Sequence, residues 1–441
     1  MLVSLNWVRE FVDFECDHPQ QFAHRFTMTT AEAEGVYRVG EHLPQIIAAR
    51  IKECALLPSS SSLKLAKLDL GQNKEATVVC GAPNARPGLI SWYAPPGTVL
   101  PNGSVIELKE FAGHSSTGML CSEAELEIGE NNAGIAELPP ETPPGQNLAS
   151  YLGLHPDVIM EVDNKSITHR PDLWGHLGIA REFSTIFRRA LKDPFSYKWS
   201  CHIKARFSKE PSPIIPYVEP DCACLGYYGI TIENVKVEPS PPWLRARLQW
   251  LGMRPINNIV DISNYVMLEL GIPLHIFDKD KIKGGRILVK ALREKADLKM
   301  LDGSIAKLMP GDTVVADAVA PLVAAGIMGG EESGVSADTH AVFVETANWR
   351  AGPIRRTSLR IGLRTDSSMR YEKSLDSLLL ERTALRAVDL ILQLCPQARI
   401  VGKLEYAGPP LEAIKKVCIQ TSFERINSLL GKEVAPAEVK S

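Results

Sequence analysis

Hydrophobic and polar positions change period several times along the 441 residues, and each change predicts a different element. Residues 1–40 read as a short strand, a helix and a turn, with Glu32-Ala-Glu34-Gly35 ending the unit. From Ile46 the apolar runs become short and β-like: Ile46–Ile51, Leu63–Leu70, Ala76–Val79, Leu89–Tyr93 and Val105–Leu108. Turn clusters such as Pro95-Pro-Gly97 and Pro101-Asn-Gly103 separate them, a spacing that predicts a small β-barrel closed by the Pro-rich stretch 139–145. Asp172 then opens an amphipathic helix in which Trp174, Leu177, Ile179, Ala180, Phe183 and Ile186 recur, running to about Leu191. A polar linker is expected near 192–212.

Beyond it the pattern mixes. Leu225–Ile232 reads as a strand, and Pro241–Met253 as a helix with proline in its first turn. Val260–Leu270 is apolar at helical spacing. Arg286–Val289, Thr313–Val315 and Val342–Val344 read as buried strands, followed by Arg-rich helices from Pro353 to about Leu394. There is no βαβαβ rhythm, so the predicted class is an α+β multidomain fold. Val417–Gln420 is strand-like and Ser422–Leu430 helical, but a segment of ~30 residues cannot bury its own core. The expected domains are 1–40 (α+β), 41–150 (barrel), 151–200 (helical, completing the first), 210–408 (mixed α/β) and 412–441, the truncated start of a following domain.

Composition narrows the function classes. With 45% hydrophobic and 23% charged residues the chain is ordinary for a globular protein, and a net charge of −3 excludes coating nucleic acid by charge alone. The barrel itself carries seven Lys/Arg against twelve Asp/Glu over 41–150, so any RNA contact there must be local. Residues 350–386 reverse the balance, nine Lys/Arg against four Asp/Glu. Arg355, Arg356, Arg360 and Arg364 fall near i, i+4, either a solvated helix face or a phosphate-contacting surface. The nine cysteines are scattered, and Cys222-x-Cys224 lacks a second pair at zinc spacing, so reduced thiols and no metal are expected. No run approaches ~18 apolar residues, and Met1–Arg9 has no basic stretch followed by an apolar one, so a cytoplasmic protein without signal peptide or membrane span is expected.

Three sets of motifs then point to a family. Cys80-Gly-Ala-Pro-Asn84 with Arg86, followed by Gly118-Met-Leu-Cys-Ser-Glu123, resembles the OB-fold tRNA-binding domain appended to several aminoacyl-tRNA synthetases, although Pro58-Ser-Ser-Ser-Ser-Leu63 stands where that domain often has His-Pro-x-Ala-Asp. Thr168-His-Arg-Pro-Asp172 with Gly175-His-Leu-Gly-Ile-Ala-Arg-Glu182 is similar to an element of phenylalanine–tRNA ligase β subunits, His169 replacing the usual Asn. The ordered series from Met253-Arg-Pro-Ile-Asn-Asn through Gly271-Ile-Pro-Leu-His-Ile-Phe-Asp278, Ala324-Ala-Gly-Ile-Met-Gly-Gly330 and Val344-Glu345 to Leu363-Arg-Thr-Asp-Ser-Ser-Met-Arg-Tyr-Glu372 resembles the editing domain of bacterial-type phenylalanine–tRNA ligase β subunits.

That resemblance implies tRNA binding and hydrolysis of Tyr-tRNA(Phe), with a non-catalytic tRNA-binding or assembly module as the alternative. It implies a tRNA(Phe) partner and a ligase α subunit in an (αβ)₂ assembly. ATP and Mg²⁺ would serve that full enzyme, with no cofactor bound by this chain. Glu345 follows an apolar run, where a carboxylate is costly without a partner; the resemblance makes it the acceptor for a tyrosine hydroxyl. His275 would sit near the ester, orienting water or the terminal ribose. Arg254, Ser263, Asn264, Pro273, Ala325, Gly326 and Gly329 are expected around the pocket, Arg254 meeting phosphate and the glycines, with Gly330, giving close backbone approach and free N–H groups. Asn84, Arg86, Ser122 and Glu123 are the expected tRNA contacts on the barrel.

Overall fold

The computed structural model describes every residue except 17, 59, 112, 415, 416 and 441. The described residues form two compact units, Met1–Gly408 and Pro409–Ser441. The first is a mixed α/β assembly of several sheets. Strand Asp157–Val162 lies between Leu2–Ser4 and Ala33–Val39, antiparallel to both, so the chain start meets residues that follow the Pro-rich stretch. The Met1 amine is drawn into that sheet, donating to the Val162 carbonyl at 2.6 Å and to Asn164 Oδ1 at 2.8 Å. Glu34 and Gly35 therefore lie inside the strand Ala33–Val39, not in a turn, because a partner strand was available to take up their backbone groups.

Residues 47–121 build an antiparallel sheet in the order Glu75–Cys80, Lys64–Asp69, Ile47–Leu56, Ile90–Ala94, Met119–Cys121. It curls until its edges meet: the Thr117 N–H donates to the Thr77 carbonyl at 2.8 Å, and the Val79 N–H to Ser116 Oγ at 3.0 Å. Linking the edges removes unpaired strand groups from solvent. Val105–Leu108 is not a strand; only an isolated Val99–Val105 bridge forms, since the Pro101-Asn-Gly103 turn folds the segment back on residues 97–100.

The remaining sheets carry the rest of the first unit. A four-stranded antiparallel sheet runs Leu274–Asp278, Ala341–Trp349, Cys224–Glu233, Arg399–Ala407. A five-stranded sheet beside it runs Ile215–Val218, Arg286–Ala291, Thr313–Ala316, Pro321–Ala324, Met328–Gly329. Helices Asn258–Leu270 and Leu380–Leu394 pack on the four-stranded sheet. One hydrophobic core is shared by segments expected to lie in different domains: Trp7, Phe26 and Phe183 belong to the same cluster as Ile259, Val266, Val344 and Val388.

Two further expectations change. The helix predicted to reach Leu191 spans His176–Phe187; Arg188 turns left-handed at φ 52° and Leu191 pairs with Val12 instead. The polar linker holds a helix, Tyr197–Lys204, capped by Ser196 and pinned by buried Ile203. In the second unit Phe423–Leu430 is helical as expected, with Ser422 as its N-cap and Gly431 at its end. Val417–Gln420 is not a strand: its residues are exposed, and the described residues of its own unit include no strand to accept their hydrogen bonds.

Where the two core helices touch, Arg386 donates Nε to Glu269 Oε2 at 2.7 Å and Nη2 to Glu269 Oε1 at 2.9 Å. Glu269 is 1% exposed, so removing it strands a guanidinium with little water to replace the carboxylate. Glu269→Ala is expected to destabilise the protein by about 3 kcal/mol in urea unfolding. A loss below about 1 kcal/mol would show that Asp389 and solvent compensate.

Candidate functional site

Residues 253–371 surround a cavity of about 470 Å³. One wall is a single helical face. Asn257 caps the helix, its side chain accepting from the Ile259 N–H at 3.1 Å and the Val260 N–H at 2.9 Å. Val260, Ser263, Asn264 and Met267, spaced i, i+3, i+4, i+7, then line the cavity together. Gly271, at φ 79°, ends the helix, and Pro273 leads into the strand Leu274–Asp278. That strand pairs antiparallel with Ala341–Trp349 in a register that sets His275 directly opposite Glu345. Directly opposed side chains have Cβ atoms about 4.5–5.5 Å apart.

Glu345 is buried in the middle of a strand whose nine residues are all buried. Its partner is a phenol: Tyr227 donates its hydroxyl to Glu345 Oε2 at 2.6 Å. Among the described residues no donor meets the other oxygen, and no arginine reaches the carboxylate. Burial lifts the Glu345 carboxyl to about 7, partly opposed by the Tyr227 hydrogen bond, which favours the charged form. The Tyr227 hydroxyl is pushed upward by the same burial and by the facing carboxylate, so it stays protonated and donating.

His275 stacks edge-on against Phe277 at 4.4 Å. Its Nε2 is buried without a hydrogen-bond partner. Desolvation depresses its pKa to about 4, so the imidazole is neutral at ordinary pH. Gly329 lies against the ring; a Cβ there would come within 2.5 Å of His275 Cε1, which is why that wall needs glycine. Gly326, at φ 68°, is pressed between Trp349 and Tyr371, which form the aromatic side of the cavity. Tyr371 shares its hydroxyl proton between the carbonyls of Pro273 (2.8 Å) and Ala347 (2.9 Å), tying both paired strands to the helix Asp366–Tyr371.

Of the expected pocket residues, Ser263, Asn264, Pro273, His275, Gly326, Gly329 and Glu345 are brought together around the cavity. The Ser263 hydroxyl is taken up within its own helix, donating to the Val260 carbonyl at 2.6 Å, whereas the Asn264 amide has no hydrogen bond among the described residues. Ala325 is buried beside Gly326, its N–H donating to the Thr313 carbonyl at 3.1 Å. The Gly330 N–H is not free; it donates to the Leu322 carbonyl at 2.7 Å. Arg254 lies in a neighbouring cleft of about 500 Å³ and pairs with Glu130 at 2.8 Å. The two hollows share Met253 and Ile256.

The four barrel residues already hold one another or their neighbours. Asn84 donates to the Ile135 carbonyl and receives the Ile135 N–H, and Arg86 grips Glu137 with two bonds of 2.9 and 2.8 Å. Ser122 bonds Glu125, and Glu123 pairs with Arg245 at 3.3 Å. Among the described residues no three His, Cys, Asp or Glu side chains converge as a metal site requires. Sequence reasoning missed Tyr227, Trp349, Thr365 and Tyr371. A tyrosine inside an apolar strand was the available signal for the first, since a buried phenol needs a partner.

The two buried titrating groups pull stability in opposite directions. The unfolded chain protonates His275 near its ordinary 6.5 and the folded protein only near 4, so its contribution is lost as pH falls through that window. Glu345 keeps its proton in the folded state up to about 7 against 4.5 in the unfolded chain, so its contribution is lost as pH rises. Relative to wild type, Glu345→Gln should gain stability between pH 5 and about 7, and His275→Gln should gain it as pH falls from about 6.5 towards 4. Differences that stay flat across both windows in urea unfolding would place both groups at ordinary values.

Comparison with known proteins fits this geometry. Residues 46–147 match a family described as a putative tRNA binding domain, and residues 223–396, which contain the whole cavity, match the B3/4 domain. Phenylalanine–tRNA ligase β subunits are similar along all of this chain: 39% identity in Solibacter usitatus, 35% in Syntrophotalea carbinolica and 34% in Fusobacterium nucleatum. The chain spans about half the length of these relatives, 54%, 53% and 53% respectively. Over its whole length the chain is thus homologous to about half of a phenylalanine–tRNA ligase β subunit.

Proposed function

We propose that this chain binds tRNA(Phe) and hydrolyses tyrosine wrongly esterified to it, in support of a ligase whose synthetic chemistry lies elsewhere. Tyrosine is phenylalanine plus a hydroxyl, and a hydrophobic synthetic pocket rejects such an isostere by only about 10². A second pocket reverses the preference if it holds a buried acceptor, because phenylalanine would leave that acceptor unpaired. The observation that carries this reading is the pairing of Glu345, one oxygen committed to Tyr227, with the partnerless Nε2 of His275 across the same strand pair, both on one cavity.

In this reading the aromatic side chain lies between Trp349, Tyr371 and the helical face, with its hydroxyl on Glu345. Neutral His275 receives a hydrogen bond from water or from the terminal ribose and so orients the attacking oxygen at the ester carbonyl. Asn264 contacts the amine or the sugar. The curled sheet of residues 46–147 is read as an OB-type barrel that docks the tRNA at local sites, since its overall charge is acidic. Activation of phenylalanine with ATP and Mg²⁺ is assigned to an α-subunit partner, in an (αβ)₂ assembly.

Purified chain is expected to deacylate Tyr-tRNA(Phe) and to leave Phe-tRNA(Phe) largely intact. Glu345→Ala and His275→Ala should each reduce the first rate by tenfold or more, consistent with losing a charged hydrogen bond or an oriented proton acceptor. ATP–pyrophosphate exchange by the chain alone should be absent. tRNA binding without any deacylation would leave a non-catalytic docking module instead.

A further inference from the structure

We propose that Tyr227 is a positioning residue for Glu345: its phenol holds one carboxylate oxygen at the back of the cavity and leaves the other to select aromatic ligands bearing a para-hydroxyl. The proposal rests on the function inferred above and adds to it the residue that sets the selectivity.

The geometry makes Tyr227 hard to replace. It lies on Cys224–Glu233, the strand that pairs with Ala341–Trp349 on the side opposite Leu274–Asp278. Its register partner is Ala347, two residues along from Glu345, so both side chains share one face of the sheet. Directly across from Glu345 the same strand carries Gly229, which brings no side chain to that position. The phenol therefore reaches diagonally to Oε2 at 2.6 Å, and both residues are buried. A carboxylate with one oxygen fixed cannot rotate to satisfy itself elsewhere, so its free oxygen is presented in one direction at no further entropic cost when a ligand arrives.

Titratable groups face Glu345 from three elements. Tyr227 and Cys224 come from one neighbouring strand, His275 from the other, and Tyr371 from the helix Asp366–Tyr371. Burial holds Tyr371 and the Cys224 thiol protonated and His275 neutral. None of them supplies a positive charge, so the Tyr227 hydroxyl is what favours the ionised carboxylate against desolvation. A ligand hydroxyl donating to the second oxygen adds a further bond of the same kind, so ligand binding and ionisation of Glu345 reinforce one another.

The test compares wild type with Tyr227→Phe, which keeps the buried ring and loses only the hydroxyl; thermal unfolding confirms that the variant folds. Equilibrium binding of tyrosinol and phenylalaninol is measured by calorimetry, alongside deacylation of Tyr-tRNA(Phe) and Phe-tRNA(Phe) from pH 6 to 8.5. Expected is a fall of about tenfold or more in the preference for the hydroxylated ligand in both assays, with part of the loss recovered at high pH. A preference and pH profile equal to wild type would overturn the proposal. If wild type itself deacylates nothing, the hydrolytic reading fails, while the alcohol-binding preference still decides whether Tyr227 sets selectivity. Should Tyr227→Phe not fold, Tyr227→Leu offers a second arm that also removes the donor: tyrosinol is expected to weaken more than phenylalaninol, and an equal effect on both alcohols would overturn the proposal.

Discussion

The pairing of Leu274–Asp278 with Ala341–Trp349 is the constraint on which the site depends. Side chains alternate across a strand, so a slip of one residue would turn Glu345 and His275 to the other face of the sheet. Register is held because the longer strand is buried along all nine residues and each of its polar side chains has a fixed partner. Glu345 accepts from Tyr227, Thr346 donates to the Leu380 carbonyl at 3.0 Å, and Asn348 donates to the Leu375 carbonyl and to Ser377 Oγ at 2.7 and 2.8 Å. Any slip would leave three polar groups unpaired in the core, each at a cost of about 1–3 kcal/mol.

The N-terminal segments buttress this arrangement. In the motif around residues 168–182, Arg170 is held by Asp172 and Glu182, and His176 is fully buried against Trp7 with ring centroids 4.2 Å apart. The Ser4 N–H donates to His176 Nε2 at 3.1 Å, which leaves Nδ1 carrying the proton it gives to the Leu268 carbonyl at 2.7 Å. Gly175 passes so close to Gly271 that a Cβ would meet its nitrogen at 2.4 Å. Thus the turn that releases the helix wall into the His275 strand is braced by a glycine nearly a hundred residues earlier. Arg370, buried over Trp174 and paired with Asp366 at 2.8 Å, ties the rim of the cavity to the same module.

Much of the positive charge in residues 350–386 has internal work. Arg360 meets Asp312 and the Lys307 carbonyl, Arg364 meets Glu372, Arg382 meets Asp193 and Arg386 meets Glu269. Arg364 lies beyond the helix Ala351–Ile361, so the four expected arginines do not share one helical face. Arg355 and Arg356 remain exposed on that helix. A charge count therefore overstates how much of this region is available to phosphate, because near neighbours in space had already claimed most of it.

Local sequence determined the elements whose signals are local. The helical spacing of Val260–Leu270, the short strands between Gly and Pro turns, and the apolar run Val342–Val344 leading to Glu345 are legible because period and turn residues act within a few positions. Motif order also led to seven of the residues that line the cavity. Tertiary structure decided what required partners distant in the chain. It placed Glu34 and Gly35 in a strand by supplying Asp157–Val162. It set Arg254 against Glu130 instead of the cavity, and it gave Glu345 a phenol 118 residues away as its partner. A buried carboxylate announces in sequence that it needs a partner; which group answers depends on the register between strands, and that is settled only when the sheet forms.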